Sequence, residues 1–162
     1  MDPLNLSMFR SNDIRTRASR LTDDLALRLA RAEACYIKHA LKVTGAVLAH
    51  DARASGPRML EIAVRAYTEA GLDCVVLPGV TGVCQFYYAA MRHADLAGVF
   101  IGASHNPASD TGRKLIGPGV TPLAQGIGPE GGLSRIEQMY RDGVTDRSSA
   151  PGRIYAFDAT PG

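Results

Sequence analysis

The sequence has 162 residues, 46% of them apolar and 21% charged, with a net charge of +2. That length and composition allow one domain with a proper hydrophobic core. No basic run or stripe makes an electrostatic case for nucleic acid, and no apolar run approaches the ~20 residues of a membrane span.

The opening stretch, "MDPLNLSMFRSNDIR", is too polar for a secretory signal peptide. Cys35, Cys74 and Cys84 lack CxxC spacing and read as reduced thiols in a cytoplasmic protein. "LTDDLALRLARAEACYIKHAL" puts apolar residues at helical spacing, with Thr22 as N-cap and acids in the first turn. "GAVLAH" follows as a short apolar strand. "DARASGPRMLEIAVRAYTEAG" reads as a helix, with Pro57 in its first turn and Gly71 as its stop. "DCVVLP" is the next strand, "GVCQFYYAAMRHA" a third helix and "LAGVFIGA" a third strand. This alternation predicts a three-layer α/β domain with a mixed, mostly parallel sheet between helices.

After Ala103 the pattern loosens. "GPGVTPLAQGIGPEGG" carries enough Gly and Pro to read as a mobile loop. "LSRIEQMYRDG" is a short helix stopped by Gly143, "VTDRSSAPG" reads as a linker, and "RIYAFDATPG" begins a strand and stops.

Ligands of open α/β sheets bind beyond the carboxyl ends of the parallel strands. Three polar segments belong there: "HDARASGP", "PGVTG" and "GASHNP". The last is the one rich in reactive groups. On its residues alone it could be a plain turn, since Ser, Asn and Pro form turns and Asn106-Pro107 initiates them. A hydrolase elbow would need Gly where Asn106 stands, and a helix directly after the serine. A metal site from His50, Asp51, His93 and His105 matches no common ligand spacing. Phosphoryl transfer needs a positioned oxygen and cations to spread the charge, and Ser104, Lys114 and Arg15 would supply them.

"GASHNP" resembles the T-A-S-H-N-P phosphoserine loop of the α-D-phosphohexomutases, the phosphoglucomutase and phosphomannomutase superfamily. Other segments extend the resemblance in the same order. "FRSNDIRT" is similar to F-x-x-Y-D-I-R-G, "VLAHDARASGPRML" to V-x-G-x-D-x-R-x-S-x-P, and "PASDTGRK" to P-x-x-Y-N-G-x-K. The sequence departs from these patterns at Asn12, Thr16, Gly102 and Asp110-Thr111-Gly112, which surround the reactive serine.

The resemblance implies that Ser104 carries a phosphoryl group. It would pass that group to a hexose phosphate and recover another from the bisphosphorylated intermediate. The family also uses a hexose bisphosphate as activator, and Mg²⁺ ligated through the phosphoryl group at Ser104. His105 aligns with a histidine that orients or shuttles a proton. Lys114 aligns with a general base or charge stabiliser, and Arg15 with an arginine that approaches the phosphoserine. Asp51 and Arg53 match a structural ion pair, and Asn106 belongs to the supporting loop.

Family members have four domains, and the metal, sugar and phosphate loops of the later three are not found in this sequence. Residues 1–145 are therefore expected to form domain I, with the phosphoserine loop at 102–107. Residues 146–162 are expected to lead toward a second domain. The partners implied are a hexose phosphate and the remaining mutase domains, with neither nucleic acid nor membrane. Apolar surface left by missing domains predicts self-association of the fragment. The chain alone is expected to be inactive as a mutase. The competing reading is a truncated, non-catalytic homologue that binds a partner or a sugar phosphate.

Overall fold

The computed structural model describes residues 2–157. Seven strands form one mixed sheet: β1 (Ile14–Arg17), β2 (Gly45–His50), β3 (Asp73–Val80), β4 (Ala97–Ile101), β5 (Asp110–Gly117), β6 (Thr121–Pro122) and β7 (Ile154–Ala156). Their spatial order is β1-β5-β4-β2-β3-β7, with β6 attached to β5. Neighbours from β4 through β2 and β3 to β7 run parallel. On the other side, β5 is antiparallel to β4, β1 and β6.

Helices α1 (Asp23–His39), α2 (Gly56–Glu69) and α4 (Leu133–Asp142) cover one face, and α3 (Val83–Arg92) lies on the other. Every residue of β2 is buried, as expected of a strand covered on both faces. Its side chains alternate: Ala46 and Leu48 join the core under α1 and α2, while Val47 and Ala49 join the core under α3. Thr22 caps α1 through its hydroxyl, which accepts from the Leu25 amide at 3.4 Å. Gly143 ends α4 with φ 66°, a left-handed conformation that suits glycine. Among the described residues, no helix is long and apolar enough to cross a membrane.

Two segments differ from the sequence reading. "DTGRKLIG", to which the sequence reading gave no element, is β5, with Arg113 buried at 1% exposure. Arg113 Nε lies 3.0 Å from Glu33 Oε2 and donates to Oε1 at 3.1 Å, and the Tyr67 hydroxyl donates to the same Oε1. An arginine can therefore occupy a core position because α1 supplies its counter-charge. The glycine- and proline-rich stretch 117–132, expected as a mobile loop, is folded onto the domain. It contains β6 and a 3-10 turn at Pro129–Gly131, and Gln125 donates its amide to the Ser11 carbonyl at 2.9 Å. Within 146–162 the strand that "RIYAFDATPG" begins is edge strand β7, parallel to β3. The last part of that stretch, 158–162, lies outside the described residues.

Candidate functional site

β4 ends at Ile101, and the chain turns at the carboxyl edge of the parallel strands into the segment 102–109. The turn closes on its own backbone. Asn106 donates its amide to the Ala103 carbonyl at 3.0 Å, and Asp110 to the Pro107 carbonyl at 2.9 Å. Ser104 sits exposed at its tip with φ 52°. A non-glycine residue in this left-handed region costs roughly 1–2 kcal/mol, so neighbouring contacts must hold it there.

Those contacts come from the loop after β2. The Arg53 guanidinium donates to the Asp51 carboxylate at 3.0 Å. It also donates to the carbonyls of Ser104 at 3.0 Å, Asn106 at 2.9 Å and Asp110 at 3.2 Å, and to that of Pro107. Asp51 Oδ2 in turn accepts from the Ala103 amide at 3.3 Å. One planar fork therefore fastens the whole serine turn. Gly102 makes this possible: a Cβ there would stand 2.4 Å from Asp51 Oδ2.

Ser104, His105 and Lys114 line one pocket of about 570 Å³, together with Asp13, Asp51 and an apolar wall that includes Tyr87 and Phe100. Lys114 reaches it from β5, whose register sets Lys114 beside Phe100 of β4. Among the described residues, Lys114 has no acid within ion-pair distance.

Arg15 does not line this pocket. It stands on the other side of the turn, where Nη1 donates to Asn106 Oδ1 at 3.3 Å and Nε to Asp13 Oδ1 at 3.1 Å. Asp13 and Asn106 are thus the bridge between Arg15 and the serine pocket. Asp13 was not singled out from sequence, yet alternation along β1 gives it the same face as Arg15. One step beyond the Ile14–Arg113 pair, it falls opposite Lys114.

The histidines considered for a metal site are not gathered. His50 Nδ1 lies 2.7 Å from the Asp51 carbonyl, and His93 Nδ1 lies 3.0 Å from the Ala89 carbonyl. Among the described residues, no group of three or more His, Cys, Asp or Glu is placed to hold a metal ion.

A sequence model for phosphoglucomutase/phosphomannomutase, alpha/beta/alpha domain I, matches residues 6–127. A protein from Arthrobacter sp. (strain FB24) named phosphoglucosamine mutase is 35% identical over 156 residues, which cover 93% of this chain and 33% of the relative. A phosphoglucomutase from Neisseria meningitidis is 35% identical over 122 residues, covering 74% of this chain and 26% of the relative. Among solved structures, a phosphoglucomutase/phosphomannomutase family protein from Burkholderia thailandensis superposes with TM-score 0.76 at 23% identity, covering 95% of this chain and 33% of that one. The chain therefore spans about a quarter to a third of the length of these relatives. With the domain model matched across the strand, the serine turn and β5, the chain belongs to the phosphoglucomutase/phosphomannomutase family, as its α/β/α domain I.

Proposed function

We propose that this chain supplies the phosphoryl-carrying half of a phosphohexomutase site, with Ser104 as the carrier. The observation behind this reading is the strained serine turn, clamped by Arg53 and facing Lys114 and His105 in one pocket. In the forward step, the bond between phosphorus and Ser104 Oγ breaks. A new bond forms from phosphorus to a hydroxyl of a hexose phosphate, and the proton of that hydroxyl passes to the serine oxygen. His105 is the proton carrier in this reading. Lys114, on the same wall, lowers the cost of charge on the transferring group. Arg15, held by Asp13 and Asn106, donates toward the phosphoryl group from across the turn.

The Mg²⁺ of the family would add a Lewis acid to the phosphoryl oxygens. Among the described residues the carboxylates at the pocket do not form a cage for it. Asp51 is committed to Arg53 and the Ala103 amide, and Asp13 to Arg15. Its ligands would have to come chiefly from elsewhere, so the 162-residue chain alone should not turn over hexose phosphates.

The test is phosphoryl transfer to the chain from glucose 1,6-bisphosphate, read by intact mass and peptide mapping. Mutase turnover should be measured with and without the remaining domains of a related mutase as a second chain. Label on Ser104, lost in Ser104→Ala, supports the proposal. Label on another residue, or mutase turnover that survives Ser104→Ala, overturns it.

A further inference from the structure

The sheet face that carries α3 is only partly covered. α3 packs on β2 and β4, and its core reaches β5 at Ile116. β1 and the first half of β5 lie beyond it. Alternation along β1 buries Ile14 and Thr16 and turns Arg15 and Arg17 to this open face. A tight hairpin precedes β1: the Arg10 amide donates to the Asp13 carbonyl at 2.9 Å, and Phe9 bridges to Ile14. The hairpin brings Arg10 to the same place, and the 3-10 turn at Ala18–Arg20 adds Arg20. These four arginines line a pocket of about 560 Å³, walled on its far side by Asn106 and Asp110. That volume is in the range of small-molecule sites.

The charge there is concentrated. A chain of net charge +2 places four guanidinium groups around one space with a single lining carboxylate, Asp110. Two nearby acids offset two of the four arginines and leave Arg10 and Arg17 uncompensated. Asp2 accepts from the amides of Leu6 and Ser7 at 2.7 and 3.1 Å and comes only within 3.9 Å of Arg20. Asp13 is taken by Arg15. Among the described residues, Arg10 and Arg17 have no acidic partner, although Arg17 and Asp110 are paired in backbone register. Like charges that outnumber their counter-charges repel, and a bound anion relieves that repulsion.

We propose that this arginine pocket binds an oxyanion of the phosphate class, held by forks from Arg10, Arg17 and Arg20, at a site separate from the serine pocket. Arg15 lines this pocket and not the serine pocket, and its bond to Asn106 ties it to the serine turn. The inference does not rest on Ser104 accepting a phosphoryl group. A multiply charged, tetrahedral oxyanion suits the pocket because its oxygens can each accept from a different guanidinium.

The experiment is calorimetric titration of the 162-residue chain with inorganic phosphate and, separately, with glucose 6-phosphate. It is run on the parent chain, on Arg10→Gln/Arg17→Gln and on Ser104→Ala, at low and high salt. Arginine side-chain Nε–H signals are followed by NMR in the parent chain, which gives a reading independent of any variant. Expected are saturable binding that weakens with salt, a loss of affinity of about tenfold or more in the double variant, and no change in Ser104→Ala. The signals of Arg10, Arg17 and Arg20 should move, and that of Arg53 should stay. Comparable affinity for both probes assigns the site to free phosphate, and tighter binding of the sugar phosphate assigns it to a phosphoryl group carried on a sugar. The proposal fails if neither probe saturates, if the double variant binds as well as the parent, or if Ser104→Ala abolishes binding. It also fails if an acidic polypeptide such as polyglutamate binds there and phosphate does not displace it.

Discussion

Replacing Arg53 should do more damage than its place near the surface suggests. Its side chain is 9% exposed and that of its partner Asp51 is 21% exposed, so the pair is mostly out of water. A hydrogen bond to a charged group at such a site contributes about 1.5–3 kcal/mol. The turn carbonyls that Arg53 also serves can partly rehydrate, and each adds less than about 1 kcal/mol. Releasing Ser104 from its left-handed backbone returns roughly 1 kcal/mol. Arg53→Ala should therefore cost about 2–4 kcal/mol in urea denaturation. The amides of Asn106 and Asp110, which close the turn, should lose hydrogen-exchange protection beyond the global change. Arg53→Lys should recover less than half, because one ammonium cannot reach Asp51 and the four carbonyls together. A loss below about 0.5 kcal/mol in Arg53→Ala, or full recovery in Arg53→Lys, would refute the idea of a clamp.

Ser104→Gly should hold or raise stability, by up to about 1 kcal/mol, while abolishing phosphoryl acceptance. A clear destabilisation would show that the serine side chain contributes packing. Arg113→Met should cost about 3–5 kcal/mol by leaving the Glu33 carboxyl in the core without its cationic partner, and Arg113→Met with Glu33→Leu should cost less; equal losses would contradict this. Burial raises the pKa of Glu33 in spite of Arg113, which marks the pair as a poorly solvated one. Asp146 is held below its ordinary value of 3.8, chiefly by the hydrogen bond from His39 and also by Lys38. Its folded pKa is depressed, so its contribution is present above 3.8 and is lost as pH falls through the lower folded value. The margin of the parent over Asp146→Asn in denaturation should shrink as pH falls below 3.8 and vanish in stronger acid. A margin that persists in strong acid would rule out the ionic latch.

The parts legible in the sequence were those fixed by local pattern. The spacing of Leu25, Leu29, Ala32 and Tyr36 announces α1, and the unbroken apolar run of "GAVLAH" announces a strand buried on both faces. β5 was hidden because its code is not local. Arg113 sits where a hydrophobic residue would signal a strand, and the residue that makes it admissible, Glu33, is 80 positions away. The serine turn could be found from its motif, and so could Asp51 and Arg53. The carbonyls on which Arg53 converges could not, since they depend on backbone shape. The arginine pocket escaped notice for a related reason. Arg10, Arg15, Arg17 and Arg20 form no run, and only the hairpin and the strand alternation draw them together.

The sheet order also dictates when, during synthesis, the site can exist. β2 and β3 pair across 28 residues, from Gly45 to Asp73, with a helix already shortening the gap. Arg15 meets Asn106 across 91 residues, and among the described residues the one strand that β1 pairs with is β5. Closing the longer loop costs roughly 1 kcal/mol more on chain entropy alone. The N-terminal strand is thus made first and placed late, after the ribosome has released β5. Until then its arginines trail from a core whose central strands have already paired, and slow steps in refolding should be sought in the docking of β1 rather than in the helices.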